Sequence, residues 1–312
     1  MNKSPMDAHT ERGGEGERGG QAGFDRLVES LAWPLLFGLC LWATSRAFAS
    51  AHPLLWFNVI YLSLAAALFA LERYRPHARR WLRADGQTFA NLAHTLLNKG
   101  LVQVLVLFAG MIGLSHASSS PAEASVSGVW PAHWPMFAQV GLALLVAEFG
   151  LYWVHRLGHE WPLLWRFHAV HHSVERLWII NTGRFHFVDS LLSVIVGLAL
   201  PALLGASLDV MLWLSAITAY LGIMTHCNVR MSNRLVSRLF NTPGLHRWHH
   251  SRDPAEGNSN YGENLMLWDL LFGTFYYPSS PPPEDIGIDE PMPSRFLGQL
   301  AHPFRRRPAA RG

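Results

Sequence analysis

Apolar residues in this chain gather into long runs in place of the short periodic stripes of a soluble fold. A helix that crosses a membrane needs about 20 mostly apolar residues. Runs at 28–44, 54–71, 97–114 and 136–154 approach or meet that length. The stretch 191–225 is long enough for two spans turning near 205–208, and Pro201 inside it leaves a broken or re-entrant hairpin open. Charge is absent where these runs lie: between residues 85 and 152 only Asp85, Lys99, Glu123 and Glu148 are charged, and between 190 and 225 only Asp209. Several such runs in one chain are rare in soluble folds. The expectation is an all-α polytopic membrane protein with four to six transmembrane or re-entrant helices.

The polar segments set the organisation and the orientation. Residues 1–23 are polar and glycine-rich and read as a flexible N-terminal tail, too charged for the apolar part of a signal peptide. The first run is then a retained anchor. The loop after the second run carries Arg73, Arg75, Arg79, Arg80 and Arg83, whereas 116–135 holds no lysine or arginine. Basic loops stay on the cytoplasmic side. The fourth run therefore returns the chain to the cytoplasm at His155, and everything from His226 onward is cytoplasmic too; Arg46 is the one conflicting charge. A bacterial inner membrane is the expected location. Three parts are expected: the tail 1–23, a membrane and catalytic domain 24–278, and a proline-rich, then basic, C-terminal tail 279–312 with Arg305, Arg306, Arg307 and Arg311. Such a tail is either solvated or drawn to anionic head groups.

Composition narrows the function. Half of the 312 residues are apolar and 15% are charged, against about 25% charged in soluble domains. A net charge of +3 gives no basic face for nucleic acid. Two distant cysteines, Cys40 and Cys227, make no disulfide framework. The unusual number is 17 histidines. His155 and His159 lie in YWVHRLGH, His168, His171 and His172 in HAVHH, and His246, His249 and His250 in HRWHH, with His226 at the end of the hairpin. Residues at i, i+3 and i+4 share one helix face, so each motif projects two or three imidazoles to one side. One tetrahedral zinc needs three or four protein ligands; nine or ten imidazoles suit two metal ions. Imidazole alone does not choose among iron, copper, zinc and nickel.

Neighbouring groups can tune such a site. Glu148, Tyr152, His155 and His159 form one helical stripe. A ligating histidine usually gives its other N–H to a carboxylate or carbonyl, so Glu148 reads as such an acceptor, or as an interfacial residue reaching head-group water. Asp189 or Asp269 could orient a histidine, and Asp269 could instead cap a helix. Asn260–Tyr261–Gly262 reads as a turn beneath the second HxxHH, and Cys227 as a small packing residue.

Taken with AEFGLYWVHRLGH, HAVHHSVE, NTPGLHRWHH, NSNYG and LWDLLFGTF, the HxxxH…HxxHH…HxxHH set resembles the fatty acid hydroxylase/sterol desaturase superfamily, over about 149–275. The resemblance implies a helical cytosolic cap holding two iron ions, with O2 as co-substrate. It also implies hydroxylation or desaturation of a C–H bond in a membrane lipid, whether fatty acyl, sterol-like or amino-lipid. His226 fits the further ligand that members supply between the two HxxHH groups, and Asn228 could hold a metal-bound water. His186 is either a tenth ligand or a hydrogen-bonding residue near the cap; Arg184–Phe185–His186 is followed by Phe187 where members commonly carry proline. No flavin or nicotinamide fingerprint and no cysteine set for an iron–sulfur cluster occur. A separate electron donor is expected, a ferredoxin or a b-type cytochrome with its reductase. Two rival readings are weaker. A metal transporter or sensor would place ionisable ligands at mid-membrane. A membrane zinc hydrolase would carry glutamate inside its motif, but Arg156 follows His155.

Overall fold

The apolar runs that lie among the described residues become helices, since a backbone in hydrocarbon must satisfy its own hydrogen bonds. The computed structural model describes residues 6–101 and 129–305. In order come α1 (Met6–Phe48), α2 (Pro53–Tyr74), α3 (Thr88–Ala93), α4 (Met136–Glu160), α5 (Pro162–His172), α6 (Phe187–Ser193), α7 (Ala199–Leu203) and α8 (Leu208–His226). Five short helices follow: α9 (Val236–Leu239), α10 (Pro243–His249), α11 (Pro254–Gly257), α12 (Leu267–Phe272) and α13 (Phe296–Ala301). Among the described residues there are isolated β-bridges but no strand.

Among the described residues four helices are long and apolar enough to cross a membrane: Asp25–Phe48, Pro53–Tyr74, Met136–Glu160 and Leu208–His226. They bracket the first, second and fourth expected runs and the second arm of the hairpin. The first arm is shorter, an apolar stretch Phe187–Leu203 in which α6 passes through a π-helical turn (Val194–Leu198) into α7 at Pro201. The hairpin is thus broken on its first side. Most of the expected third span, the basic residues Arg306, Arg307 and Arg311, and residues 1–5 lie outside the described residues.

α4 and α8 are about half buried, whereas α1 and α2 bury a fifth or less of their apolar windows. The two central helices pack on Trp33 and Phe37 of α1 and Leu68 of α2 through Ala143, Ala147, Leu214 and Leu221. The outer faces of α1 and α2 leave Leu31, Leu35, Leu39, Leu55 and Leu62 exposed, as a lipid-facing surface requires. α4 crosses the π turn at very close range. A Cβ on Gly150 would stand 2.1 Å from the Val196 carbonyl oxygen, and one on Gly197 would stand 2.6 Å from the Leu151 side chain. Two glycines therefore allow the contact that brings α6 beside α4.

The polar part is built at the inner ends of α2, α4 and α8. Proline at the first position of α5 and α10 starts each histidine helix where its missing N–H costs nothing. Buried polar groups join the cap. Glu72 accepts the backbone N–H groups of Ile179 and Asn228, both at 2.9 Å. Arg176 binds Asp85 and the carbonyls of Trp81 and Arg83.

Residues 279–305 do not trail away from this unit. Trp81 Nε1 donates to the Glu284 carbonyl, Ser251 bridges Ile286, and Gly287 N donates to the His250 carbonyl at 3.1 Å. Ile286 is buried with Ala78, Trp81, Val174 and Leu177. Further on, Gln299 of α13 reaches His94 at 2.9 Å. The expected boundary at 279 thus cuts through packed structure, because Ile286 and Phe296 are buried and backbone and side-chain hydrogen bonds tie the segment down.

Candidate metal centre

All nine histidines of the motif set come together, in two groups. His155, His159, His168, His172 and His249 form the first, and His171, His226, His246 and His250 the second. Within each group one ring nitrogen per residue lies within 4.8 Å of all the others. Each HxxHH is divided between the groups. α5 gives its i, i+4 pair, His168 and His172, to the first group and His171 to the second. α10 does the reverse, giving His249 to the first and the i, i+4 pair His246 and His250 to the second. The inner end of α4 completes the first group and the last residue of α8 completes the second.

The outer nitrogens are held by acceptors. Nδ1 of His155 donates to the Tyr261 carbonyl at 2.7 Å, His249 to the Ser259 carbonyl at 2.7 Å, His171 to the Arg184 carbonyl at 3.2 Å and His226 to the Gly222 carbonyl at 2.9 Å. His168 Nδ1 pairs with Asp189 Oδ2 at 2.9 Å, and His159 Nδ1 lies 3.1 Å from Asn258 Oδ1. A neutral imidazole carries one N–H. Committing it at Nδ1 leaves a lone pair on Nε2, aimed inward.

Three of those lone pairs, on Nε2 of His155, His168 and His249, are buried without a hydrogen-bond partner, while His159 Nε2 stands 3.1 Å from His172 Nε2. In the second group the Nε2 atoms form a row: His226 to His246 at 3.0 Å, His246 to His250 at 3.0 Å, and His250 to His171 at 3.1 Å. Both ends of the row are lone pairs, since His226 and His171 spend their N–H on carbonyls. The two inner nitrogens can supply at most two protons for three contacts. Neutral imidazoles cannot satisfy all three, and a cation shared among the lone pairs removes the conflict. Protonation is opposed by burial first and by the neighbouring imidazoles second, which hold His171, His172, His246, His249 and His250 well below the ordinary histidine range. The donor set, neutral and buried, fits a metal ion in each group.

The supporting groups are where the sequence was least specific. Asp189 touches His168 directly. Asp269 acts one step back: it accepts N–H from Tyr261 (2.8 Å) and Gly262 (2.7 Å) and the Thr274 hydroxyl (2.7 Å). It thereby shapes the turn whose Tyr261 carbonyl holds His155. Asn260 takes positive φ (55°) in that turn. Glu148 does not reach a histidine; its carboxylate accepts the backbone N–H of Asn264 at 3.0 Å and the Asn264 side-chain amide at 2.8 Å, anchoring the loop after the turn. Cys227 is fully buried, and burial pushes its thiol up to about 12, as fits packing.

Two sequence candidates stand apart from both groups. His186 is buried but caps α6, accepting the Val188 N–H at 3.2 Å, while its Nε2 meets the Leu300 carbonyl at 3.2 Å. Both nitrogens are occupied, so the hydrogen-bonding alternative describes it and the tenth-ligand alternative does not. Asn228 spends its side chain on Ala78, accepting that residue's N–H at 3.0 Å and donating to its carbonyl at 3.1 Å. It fastens the loop after α2 to the end of α8 in place of holding a water at the histidines. Residues missed by the sequence reading include Asn258, beside His159, and Arg184. Arg184 is buried by Val170, Asn91 and Ser173 while its own carbonyl holds His171. Carbonyl acceptors leave no side-chain signature.

A sequence model of the fatty acid hydroxylase family matches residues 140–274, which contain all nine histidines. An ornithine lipid hydroxylase of Rhizobium tropici is 50% identical over 281 residues, covering 90% of this chain and 85% of that protein. The chain belongs to the fatty acid hydroxylase family. Two more distant relatives match about half of the chain. An alkylglycerol monooxygenase of Xenopus tropicalis is 30% identical over 148 residues, 47% of this chain and 31% of that one. A probable Delta(7)-sterol 5(6)-desaturase of Neurospora crassa is 29% identical over 153 residues, 47% and 41%. No solved structure matches. As a fatty acid hydroxylase family member the protein is an oxidoreductase, and its histidine groups are the part of the fold suited to metal.

Proposed function

We propose that this protein is an O2-dependent lipid hydroxylase with a di-iron centre. His155, His159, His168, His172 and His249 hold one ion; His171, His226, His246 and His250 hold the other. The observation that carries the reading is the convergence of nine imidazoles in two groups: the inward nitrogens of His155, His168 and His249 have no hydrogen-bond partner, and those of His159, His171, His172, His226, His246 and His250 face one another at 3.0–3.1 Å. Iron bound there supplies the O2-dependent oxidation that an unactivated C–H bond requires. The chain's own part is positional. Backbone carbonyls fix the rings of His155, His171, His226 and His249, Asp189 fixes His168, and Asp269 and Glu148 hold the turn and loop beneath His155.

Hydroxylation is favoured over desaturation by the name of the relative that covers nine-tenths of this chain. The substrate is a membrane lipid, supported by four membrane-length helices and by the lipid names of the relatives. The catalytic unit runs from residue 24 through 305, since the segment 279–305 packs on the histidine elements. The basic loop after α2 supports a cytoplasmic orientation of the cap in a bacterial inner membrane. Two electrons per turnover come from a separate ferredoxin or b-type cytochrome with its reductase.

Comparing lipid extracts of a deletion strain and its parent by mass spectrometry tests the reading. A lipid class 16 daltons heavier in the parent, restored by the wild-type gene and not by His249→Ala, is expected. Identical lipid profiles in the two strains under aerobic growth would overturn it; a 2-dalton difference would convert hydroxylase to desaturase.

A further inference from the structure

A cleft of about 420 Å³ leads from the surface to the first histidine group. Its buried end is formed by His172 and His249 beside His159, and its outer end by Arg252, Asp289 and Glu290. Trp165 lines it as well, its ring 5.4 Å from His159 and 5.7 Å from His172. The outer end is built by the segment that the sequence reading assigned to a tail. Arg252 binds Asp285 and Asp289, each at 3.2 Å, and the Ile288 carbonyl at 3.0 Å. Glu290 lies 3.2 Å from His302.

Two carboxylates, Asp285 and Asp289, therefore flank the Arg252 guanidinium at the mouth of a cleft that ends on the candidate metal centre, and Glu290, 3.2 Å from His302, lines the cleft beside them. The lining is mixed: Pro162, Trp165, Pro254 and Ile288 give it apolar surface, and Arg252, Asp289 and Glu290 put charge at its outer end, where an acyl chain would desolvate polar groups without replacing their hydrogen bonds. A cleft with excess negative charge concentrates cations, and an aromatic wall adds attraction for an ammonium. We propose that this cleft seats an ammonium-bearing lipid headgroup, with Asp289 and Trp165 as its recognition elements, and that it selects the substrate. The proposal rests on the lipid-hydroxylase reading and deepens it. The ornithine lipid named for the relative above carries a basic amino acid as its head, which is the chemistry such a cleft would take.

Binding tests this without turnover. The full-length protein in detergent is titrated with ornithine lipid, diacylglycerol and phosphatidylglycerol of matched acyl chains. Ornithine lipid should bind at least fivefold tighter than the other two. Asp289→Asn should weaken ornithine lipid about fivefold and leave diacylglycerol within twofold. Arg252→Gln, which breaks the same ion pair but leaves the carboxylate, should bind ornithine lipid as tightly or more so. Equal binding of the three lipids by the wild type overturns the proposal. So does an equal loss for all three lipids in both variants, the signature of a purely structural latch. The two readings fail separately. Headgroup-selective binding with no 16-dalton product under iron, O2 and reductant defeats the hydroxylase reading alone. Oxidation without headgroup preference defeats the cleft alone.

Discussion

Asp189 stands 2.9 Å from His168 Nδ1 and, among the described residues, is the one carboxylate in direct contact with a histidine of the two groups. Replacing it by asparagine keeps the size but removes the charge that fixes the ring. Loss of such an acceptor typically weakens metal affinity about 10–100-fold. Asp189→Asn should therefore lose metal to a competing chelator at correspondingly lower concentration, with helical content unchanged. Equal retention by the variant and the wild type would show that the contact does not orient a ligand. At this scale the sequence was most informative about which histidines converge. It was silent on how they divide, because i, i+3 and i+4 share a face and spacing alone does not say that His171 and His249 each cross to the other group. His186 and Asn228 were misleading for a related reason: a polar residue near a motif can be consumed by a cap or a loop clamp, and only the fold shows which.

Among elements, the turn Asn260–Gly262 has the greatest leverage on the centre. A Cβ on Gly262 would lie 2.2 Å from the Leu265 carbonyl oxygen and 2.9 Å from Asp269 Oδ2. Gly262→Ala must move the turn and with it the Tyr261 carbonyl under His155. The expected result is loss of about one metal per chain, or failure to accumulate. Gly141→Ala in α4, where nothing lies within 4 Å, should be neutral. Metal analysis of both variants checks the contrast. The membrane-length helices were legible because hydropathy and length are sufficient for them. The segment 279–305 was not. Its proline-rich, acidic composition has the look of a linker, and its attachment depends on backbone pairing with Ser251 and His250 and on two buried apolar residues far apart in the segment, Ile286 and Phe296.

For the whole molecule, folding is coupled to keeping buried histidines neutral. His94, outside both metal groups, is held down at about 4 by burial first, then by Arg184, against opposing hydrogen bonds from Gln299 and Phe185; His77 is depressed further by burial and by Arg247 and Arg230. Both values lie below the ordinary 6.5. The unfolded chain therefore binds protons first as pH falls. The stability these residues contribute is complete above about pH 6.5; His94 loses its share, of order 3 kcal/mol, between there and about 4, and His77 goes on losing its share below that. Acid unfolding of metal-free protein should steepen across that window, and His94→Gln should flatten it; a pH-independent midpoint would contradict the assignment.

The central claim is that two metal ions sit in two separate histidine groups, and metal content measures it directly. Protein purified from iron-replete cells should carry two irons per chain. His249→Ala, from the first group, and His171→Ala, from the second, should each carry about one, and the double variant close to none. Wild-type protein with well under one metal per chain, or single variants that keep two, would contradict the account.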